Sequence, residues 1–488
     1  MFTDELRHKV WDEIRQRDLL AFSQLLPGEV FVAAAQLAGV RLGRSALSLV
    51  QLVWLGTASA LHRTRSFASI LKLSVQLLED SGLWQPPARL PVKPKGRQGR
   101  GKSSKHRPHG AKLTQVTEEA FVQARARMPL EFWAALLVVL GERFYQQHAE
   151  WVHWKKFRLL ALDGTTINLP NWEALREHFG TATNGKSKGS TQARLVMLQL
   201  PLVRMPWRYA VSPIGQGERT LAAELLEHLS ADDLVLVDRG FWSYGLFHQI
   251  QNRQAYFAIR LPAGIRLRTL RRLGPRDRLV RWKMPTGPRW RNSDLPPHID
   301  LRVVDYKIRG FRPSAVVTNV LSPRNVSRED WVRLATQTEA GAKRLEVGLY
   351  HRRWEIETTF YELKVTQGLE GSVRSRRPHG VYYEIAGHVL LYTLVRWLMV
   401  EAAAAAGVDP LRVSFKAALA ELCDMRHALI TATPHRARQV LLPRLLERIA
   451  QHLVPLRPGR HFPRPHDTKI KNCGRGKRKM PHKLQKVA

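Results

Sequence analysis

Phe157-Arg-Leu-Leu-Ala-Leu-Asp163-Gly164 is a short apolar run closed by an acid and a glycine, and Leu234-Val-Leu-Val-Asp238-Arg239-Gly240 repeats the arrangement further on. Short apolar runs bounded by turn residues read as buried strands. Between them Ala193–Leu200 and Trp207–Val211 read as two more strands and Leu221–Leu229 has helical spacing; Ala255–Ile259 follows as another strand. The order strand, strand, strand, helix, strand, helix, strand predicts a mixed α/β sheet with Asp163 and Asp238 at or just beyond strand ends. An isolated acid at a strand end is more often a turn or cap residue than a ligand, so the pair needs support from elsewhere in the chain.

Outward from this core, residues 1–85 read as a small helical domain, with Ser66 an N-cap, Ile70, Leu73, Leu77 and Leu78 on one stripe and Gly82 a stop. Residues 86–116 form a basic linker and 117–156 a helical connection. The core occupies 157–260 and resumes at 323–380, interrupted by an all-β insertion at 261–322, where Leu301–Val304 and Ser314–Thr318 bracket a turn at Arg309-Gly310. From about Arg328 the chain reads as helical to about Val454, broken at Gly368, Gly407, Pro410 and Pro434, with a C-terminal helical region at 381–454 and a basic tail at 455–488.

The charge is lopsided: 78 Lys+Arg oppose 41 Asp+Glu over 488 residues, a net +37. Arg89–Lys112 holds nine Lys/Arg and no acid, Ile265–Arg291 ten and one, and Arg457–Lys486 eleven and one. These patches carry 9 + 9 + 10 = 28 of the 37 net charges, which favours a surface that tracks a nucleic-acid backbone over charge spread for solubility. Gly96–Ser103 matches a phosphate-loop pattern, but PVKPK precedes it and SKHRPHG follows, with neither the strand nor the helix such a loop needs. Two cysteines, Cys423 and Cys473, suit a reducing cytosolic setting. The opening MFTDELRHKVWDEIRQRD lacks the apolar core of a secretory leader, and the apolar stretch Val389–Val400 is interrupted at Arg396, so no membrane span is expected. Asp424, His435 and His466 form no grouping with metal-ligand spacing.

The chemistry points to Tyr350-His-Arg-Arg353-Trp-Glu-Ile-Glu357-Thr-Thr-Phe-Tyr-Glu-Leu-Lys364. Turning about 100° per residue, a regular helix places Arg353, Glu357 and Lys364 within about 60° of Tyr350, with Trp354, Ile356, Phe360 and Leu363 as a buried face. The stripe suits phosphate handling with a carboxylate held for a cation; an exposed helix laced with i,i+4 ion pairs is the competing reading. Asp163, Asp238 and Glu357 then stand as three carboxylates for hard divalent ions, whose remaining ligands are waters and substrate phosphate oxygens.

The spacing Y-x2-R-x3-E-x6-K, together with Leu160–Pro170, Leu234–Phe247 and Leu369–Val381, resembles the DDE transposases of the bacterial insertion-sequence-four group. The resemblance covers roughly Phe157 to Arg396 and implies a ribonuclease-H-like α/β core with an all-β insertion. It further implies that Asp163, Asp238 and Glu357 are catalytic and bind two magnesium ions, with manganese able to substitute. Tyr350, Arg353 and Lys364 would grip DNA phosphates near the cleaved end, and Arg239 beside Asp238 joins the DNA-contacting set. In relatives of this architecture a tryptophan of the insertion stacks on a flipped base. Trp282 and Trp290 both lie in the basic stretch, and for each a place in the core of a small barrel is an equal reading. The implied protein is a cytoplasmic, nucleoid-associated cut-and-paste transposase acting on double-stranded DNA as a homodimer, its N-terminal domain binding terminal inverted repeats. A non-catalytic domesticated DNA-binding protein and a structure-specific nuclease on the same fold are the alternatives.

Overall fold

The protein is described here by a computed structural model covering residues 25–42, 47–80, 117–182, 189–286, 294–307, 313–332, 335–339, 342–346, 349–432 and 436–455. Among the described residues five longer helices precede the sheet, α1 (Gly28–Leu37), α2 (Leu49–Leu61), α3 (Phe67–Asp80), α4 (Glu118–Ala126) and α5 (Leu130–Gln147), and the four-residue helix Ala149–Val152 follows them. Local sequence starts them: Ser48 and Gln51 form a capping box on α2, and the Thr117 side chain accepts from the Ala120 amide at the head of α4. The linker that holds the phosphate-loop match and the basic tail, like Trp290, Arg309-Gly310 and His435, lie outside the described residues.

The core strands are β1 (Phe157–Asn168), β2 (Gln192–Leu200), β3 (Met205–Pro213), β4 (Asp233–Val237) and β5 (Tyr256–Arg260). They lie in the order β3-β2-β1-β4-β5, with β1 to β3 antiparallel and β4 and β5 parallel to β1. This is the ribonuclease-H-like α/β arrangement, flanked by α6 (Glu173–Phe179), α7 (Glu218–Leu226) and α8 (Tyr244–Asn252). Strands covered on both faces read as continuous apolar runs. The first six residues of β1 and all of β4 are buried accordingly.

The insertion is all-β, but it closes no barrel. Its strands β6 (Arg268–Gly274), β7 (Asp277–Lys283), β8 (His298–Tyr306) and β9 (Ser314–Thr318) continue the sheet in the order β5-β9-β8-β7-β6. Pairing Val316 with Arg260 covers the bare edge of β5 and moves the free edge out to β6. There Arg268, Arg271 and Arg272 are exposed, whereas Arg278, Arg281 and Arg302 are paired with Asp305, Asp300 and Asp277. Part of the basic stretch is therefore neutralised within the sheet.

The helix expected from Arg328 begins there but is not continuous: Arg328–Val332 is a five-residue helix, and β10 (Ala335–Glu339) and β11 (Ala342–Glu346) then pair as a hairpin before helical structure resumes. The alternation Ala-Thr-Gln-Thr-Glu in β10 has strand rather than helix character, since β-branched threonines lose rotamer freedom in helices. After the hairpin the α-helices of the described residues are α9 (Glu355–Tyr361), α10 (Pro378–Ala406), α11 (Phe415–Thr431) and α12 (Leu442–Gln451). The 29-residue α10 opens on Pro378 and ends at Gly407, whose φ of 65° is left-handed. By length and composition α10 alone among the described helices is long and apolar enough to cross a membrane, yet most of it is buried inside the protein. It crosses α2 where Gly387 meets Gly56; a Cβ at Gly387 would lie 2.7 Å from the Gly56 carbonyl oxygen, so only glycine permits the approach. Tyr383 of α10 donates to the Leu52 carbonyl and meets Trp133 edge-on at 5.5 Å, tying α2 and α5 to the C-terminal helices.

Candidate active site

Strand register assembles the first part of the site. Leu162 pairs with Val237 in the parallel β1–β4 ladder, so Asp163 and Asp238, the next residues, emerge side by side. Asp238 follows the last residue of β4, as expected. Asp163 does not end its strand: β1 runs on to Asn168, paired there only with β2. The acid sits where parallel pairing stops, at the carboxyl end of the strands where a crevice opens in α/β sheets. Its Oδ1 accepts from the Gly164 amide at 2.8 Å.

The segment bearing Glu357 is not one regular helix. Leu349–Trp354 is a 3-10 helix, Glu355–Tyr361 is α, and Glu362–Thr366 widens into a π turn before Gly368 at φ 82°. Three different pitches remove the single stripe that a constant 100° would produce. Ile356, Phe360 and Leu363 are buried as expected, but Trp354 is 39% exposed.

The change of pitch sends the four signature side chains to different places. Tyr350 is buried, its hydroxyl donating to the Val237 carbonyl and accepting from the Arg260 amide, each at 3.1 Å. It thus ties together the ends of β4 and β5 next to Asp238, and burial pushes its phenol pKa up. Lys364 turns to β1, donating to the Thr166 carbonyl at 2.7 Å and to Thr165 Oγ1 at 3.3 Å, and pairing with Glu370 at 3.1 Å. Arg353 and Glu357 stay together at the mouth of the parallel strands.

Arg353 is the centre of the site. Its guanidinium, 5% exposed, lies 3.1 Å from Asp163 Oδ2, 3.0 Å from Glu357 Oε1 and 3.8 Å from Asp238 Oδ1. Burial opposes its charge, but Tyr350 and the three acids outweigh burial and raise its pKa. Asp163 responds differently: burial, helped by Asp238 and Glu357, outweighs Arg353 and the Gly164 amide and pushes it up to about 6.

A proton on Asp163 favours the folded state, so this contribution is fully present below about pH 4 and is lost as the pH rises through about 6. Asp163→Asn cannot titrate, so between pH 4 and 7 its stability relative to the parent should improve by about 2 kcal/mol. Denaturant unfolding of both proteins across that range measures it; parallel pH profiles would refute it.

Of the remaining predicted contacts, Arg239 is exposed directly after Asp238. Trp282 is packed in an aromatic cluster, its ring 5.0 Å from Trp242, 5.1 Å from Tyr244 and 5.6 Å from Phe247. In this arrangement it anchors β7 to α8. Other groups border the site without any sequence signal that marked them. Glu218 opens α7 and pairs with Arg194 at 2.5 Å; a Cβ at Gly164 would lie 2.9 Å from its carboxyl carbon. It is an ordinary first-turn acid in sequence. Glu370, which pairs with Lys364, also accepts from the Asn168 amide and side chain at 3.3 Å.

The donor set suits a hard divalent cation, since three carboxylates from β1, the end of β4 and α9 already converge on one positive group. That group is a guanidinium. With Arg353 between the acids, no three His, Cys, Asp or Glu among the described residues stand close enough to hold an ion directly.

Residues 154–394 match the family described as the transposase DDE domain. The chain is 27% identical over 359 residues to the transposase InsG for insertion sequence element IS4 of Escherichia coli (strain K12), covering 72% of this chain and 76% of that protein. A solved structure of the piggyBac transposase synaptic complex with hairpin DNA is similar at 12% identity and a TM-score of 0.33, over 67% of this chain and 63% of that one.

Proposed function

Because the chain belongs to the DDE transposases of the insertion-sequence-four group, a family whose chemistry uses divalent metal, we propose that it cuts its own element out of DNA and joins the freed ends to a target. The observation that carries this reading is the convergence of Asp163, Asp238 and Glu357 on one point at the carboxyl ends of the parallel strands. Asp163, Asp238 and Glu357 would hold the metal. Once bound, two magnesium or manganese ions supply activation of a water or 3′-hydroxyl and stabilisation of the leaving oxygen at phosphorus.

The protein's own groups position the DNA. Arg239 and Arg353 offer guanidinium forks suited to phosphate oxygens, and the arginines of the free edge at β6 offer a basic rail for the backbone. Tyr350 and Lys364 act on the site from behind, Tyr350 fixing the strand ends beside Asp238 and Lys364 joining the Glu-bearing segment to β1. In this reading the N-terminal helices and basic linker bind the terminal inverted repeats. Paired ends call for a homodimer assembled on double-stranded DNA in the bacterial cytoplasm.

A labelled duplex carrying the element end, incubated with the protein, magnesium and a supercoiled target, tests the proposal. Cleavage followed by joining is expected. Cleavage without joining would make the protein a nuclease, and binding without either reaction would reduce it to a DNA-binding protein.

A further inference from the structure

We propose that Arg353 is an exchangeable counter-ion that holds the three carboxylates together before metal arrives and yields its place when a DNA phosphate takes the guanidinium away. The inference rests on reading Asp163, Asp238 and Glu357 as the metal ligands. Its own basis is the geometry of one side chain. Three acids brought together from three elements repel one another, and here a single nearly buried guanidinium satisfies all of them, two at hydrogen-bond distance and the third at 3.8 Å. The fork matters, because Nη1 serves Asp163 while Nη2 serves Glu357 and Asp238, which a single ammonium point charge cannot reproduce.

A cation entering between the acids meets that positive group first. Metal binding without DNA therefore has to break the pairs to Arg353, leaving a buried guanidinium uncompensated, and that cost weakens it. A phosphate offers Arg353 an equivalent bidentate partner, so the acids are released to the metal only when substrate is present. The arrangement couples metal loading to DNA binding, and thermodynamic reciprocity requires metal to tighten DNA binding by the same factor. The site is thereby kept from assembling a cleavage-competent metal centre on the free protein.

Manganese binding, followed by electron paramagnetic resonance on the full-length protein, reads this without catalysis. Manganese alone should bind the parent weakly and should bind at least about tenfold more tightly after addition of a duplex carrying the element end, a ratio equal to about 1.4 kcal/mol. Arg353→Ala and Arg353→Lys should bind manganese at least about tenfold more tightly than the parent without DNA, and the duplex should add little for either. Circular dichroism establishes that each variant is folded; the DNA-dependence of the unmodified protein stands even where a variant is not. Equal affinity of parent and folded variants, or a parent that binds manganese equally with and without the duplex, would overturn the proposal. Absence of manganese binding in every protein with DNA present would instead refute the metal-site reading beneath it.

Discussion

Glu357→Gln and Asp238→Asn should each lower strand cleavage in magnesium by about 10³-fold or more while leaving binding of the element end, measured without divalent metal, within a few-fold of the parent. Both changes keep size and hydrogen-bonding shape but remove the charge a divalent ion needs, and losing several kcal/mol of charge stabilisation at phosphorus corresponds to that factor. The two acids suit the test because their side chains are 43% and 44% exposed, so neutralising them strands no buried partner beyond Arg353. Gel-shift binding and cleavage of the same labelled duplex separate the effects. Near-parental cleavage by either variant would remove that residue from the metal site; equal losses of binding and cleavage would make it a DNA contact instead.

Arg396→Met should destabilise the fold by about 3–5 kcal/mol, the cost typical of removing one partner from a buried ion pair. Arg396 lies on α10 at 1% exposure. Its Nη2 donates to Glu362 and its Nε to the Tyr392 hydroxyl at 2.9 Å, while that hydroxyl donates to Glu362 Oε2 at 2.7 Å. Arg204 closes the network from the β2–β3 turn, 3.2 Å from Glu362 and 2.7 Å from Glu355. Burial raises the pKa of Glu362, but Arg396 and Arg204 more than reverse this and keep it ionised. Without Arg396 the carboxylate stays buried with too little compensation. Adding Glu362→Gln to Arg396→Met should recover a large part of the loss in urea unfolding, since removing both charges is far less costly than removing one. A single-variant loss below about 1 kcal/mol would show that water reaches Glu362. The network joins the Glu357 segment to both the sheet and α10, so its loss should also lower activity in protein that remains folded.

What the sequence makes legible is local. The apolar runs ending at Asp163 and Asp238 identify the two central strands, and buried strands announce themselves because both faces are covered. The spacing from Tyr350 to Lys364 brings Arg353 and Glu357 into the site through the i,i+4 neighbourhood alone, which survives the change of helical pitch. What depends on long-range pairing is not legible. Nothing in the alternation of residues 261–322 says that β9 will pair with β5, so a sheet extension and a closed barrel read alike. Constant helical pitch was the wrong premise for Tyr350 and Lys364, because packing against Val237 and against Thr165–Thr166 sets their directions. The lone Arg396 in an apolar helix was readable as an interruption, but its partners come from Glu362 and Arg204, distant in the chain. The clamp of Arg353 on three acids likewise appears only when β1, β4 and α9 are assembled.

Whether Asp163, Asp238 and Glu357 are metal ligands at one centre is tested most directly by Glu357→Cys. A thiolate is a poorer ligand for magnesium than for softer divalent ions, so changing oxygen to sulfur changes which metal supports the reaction. Cleavage of the labelled element end by Glu357→Cys should fail in magnesium and be partly restored in manganese. Undiminished cleavage in magnesium would contradict the account.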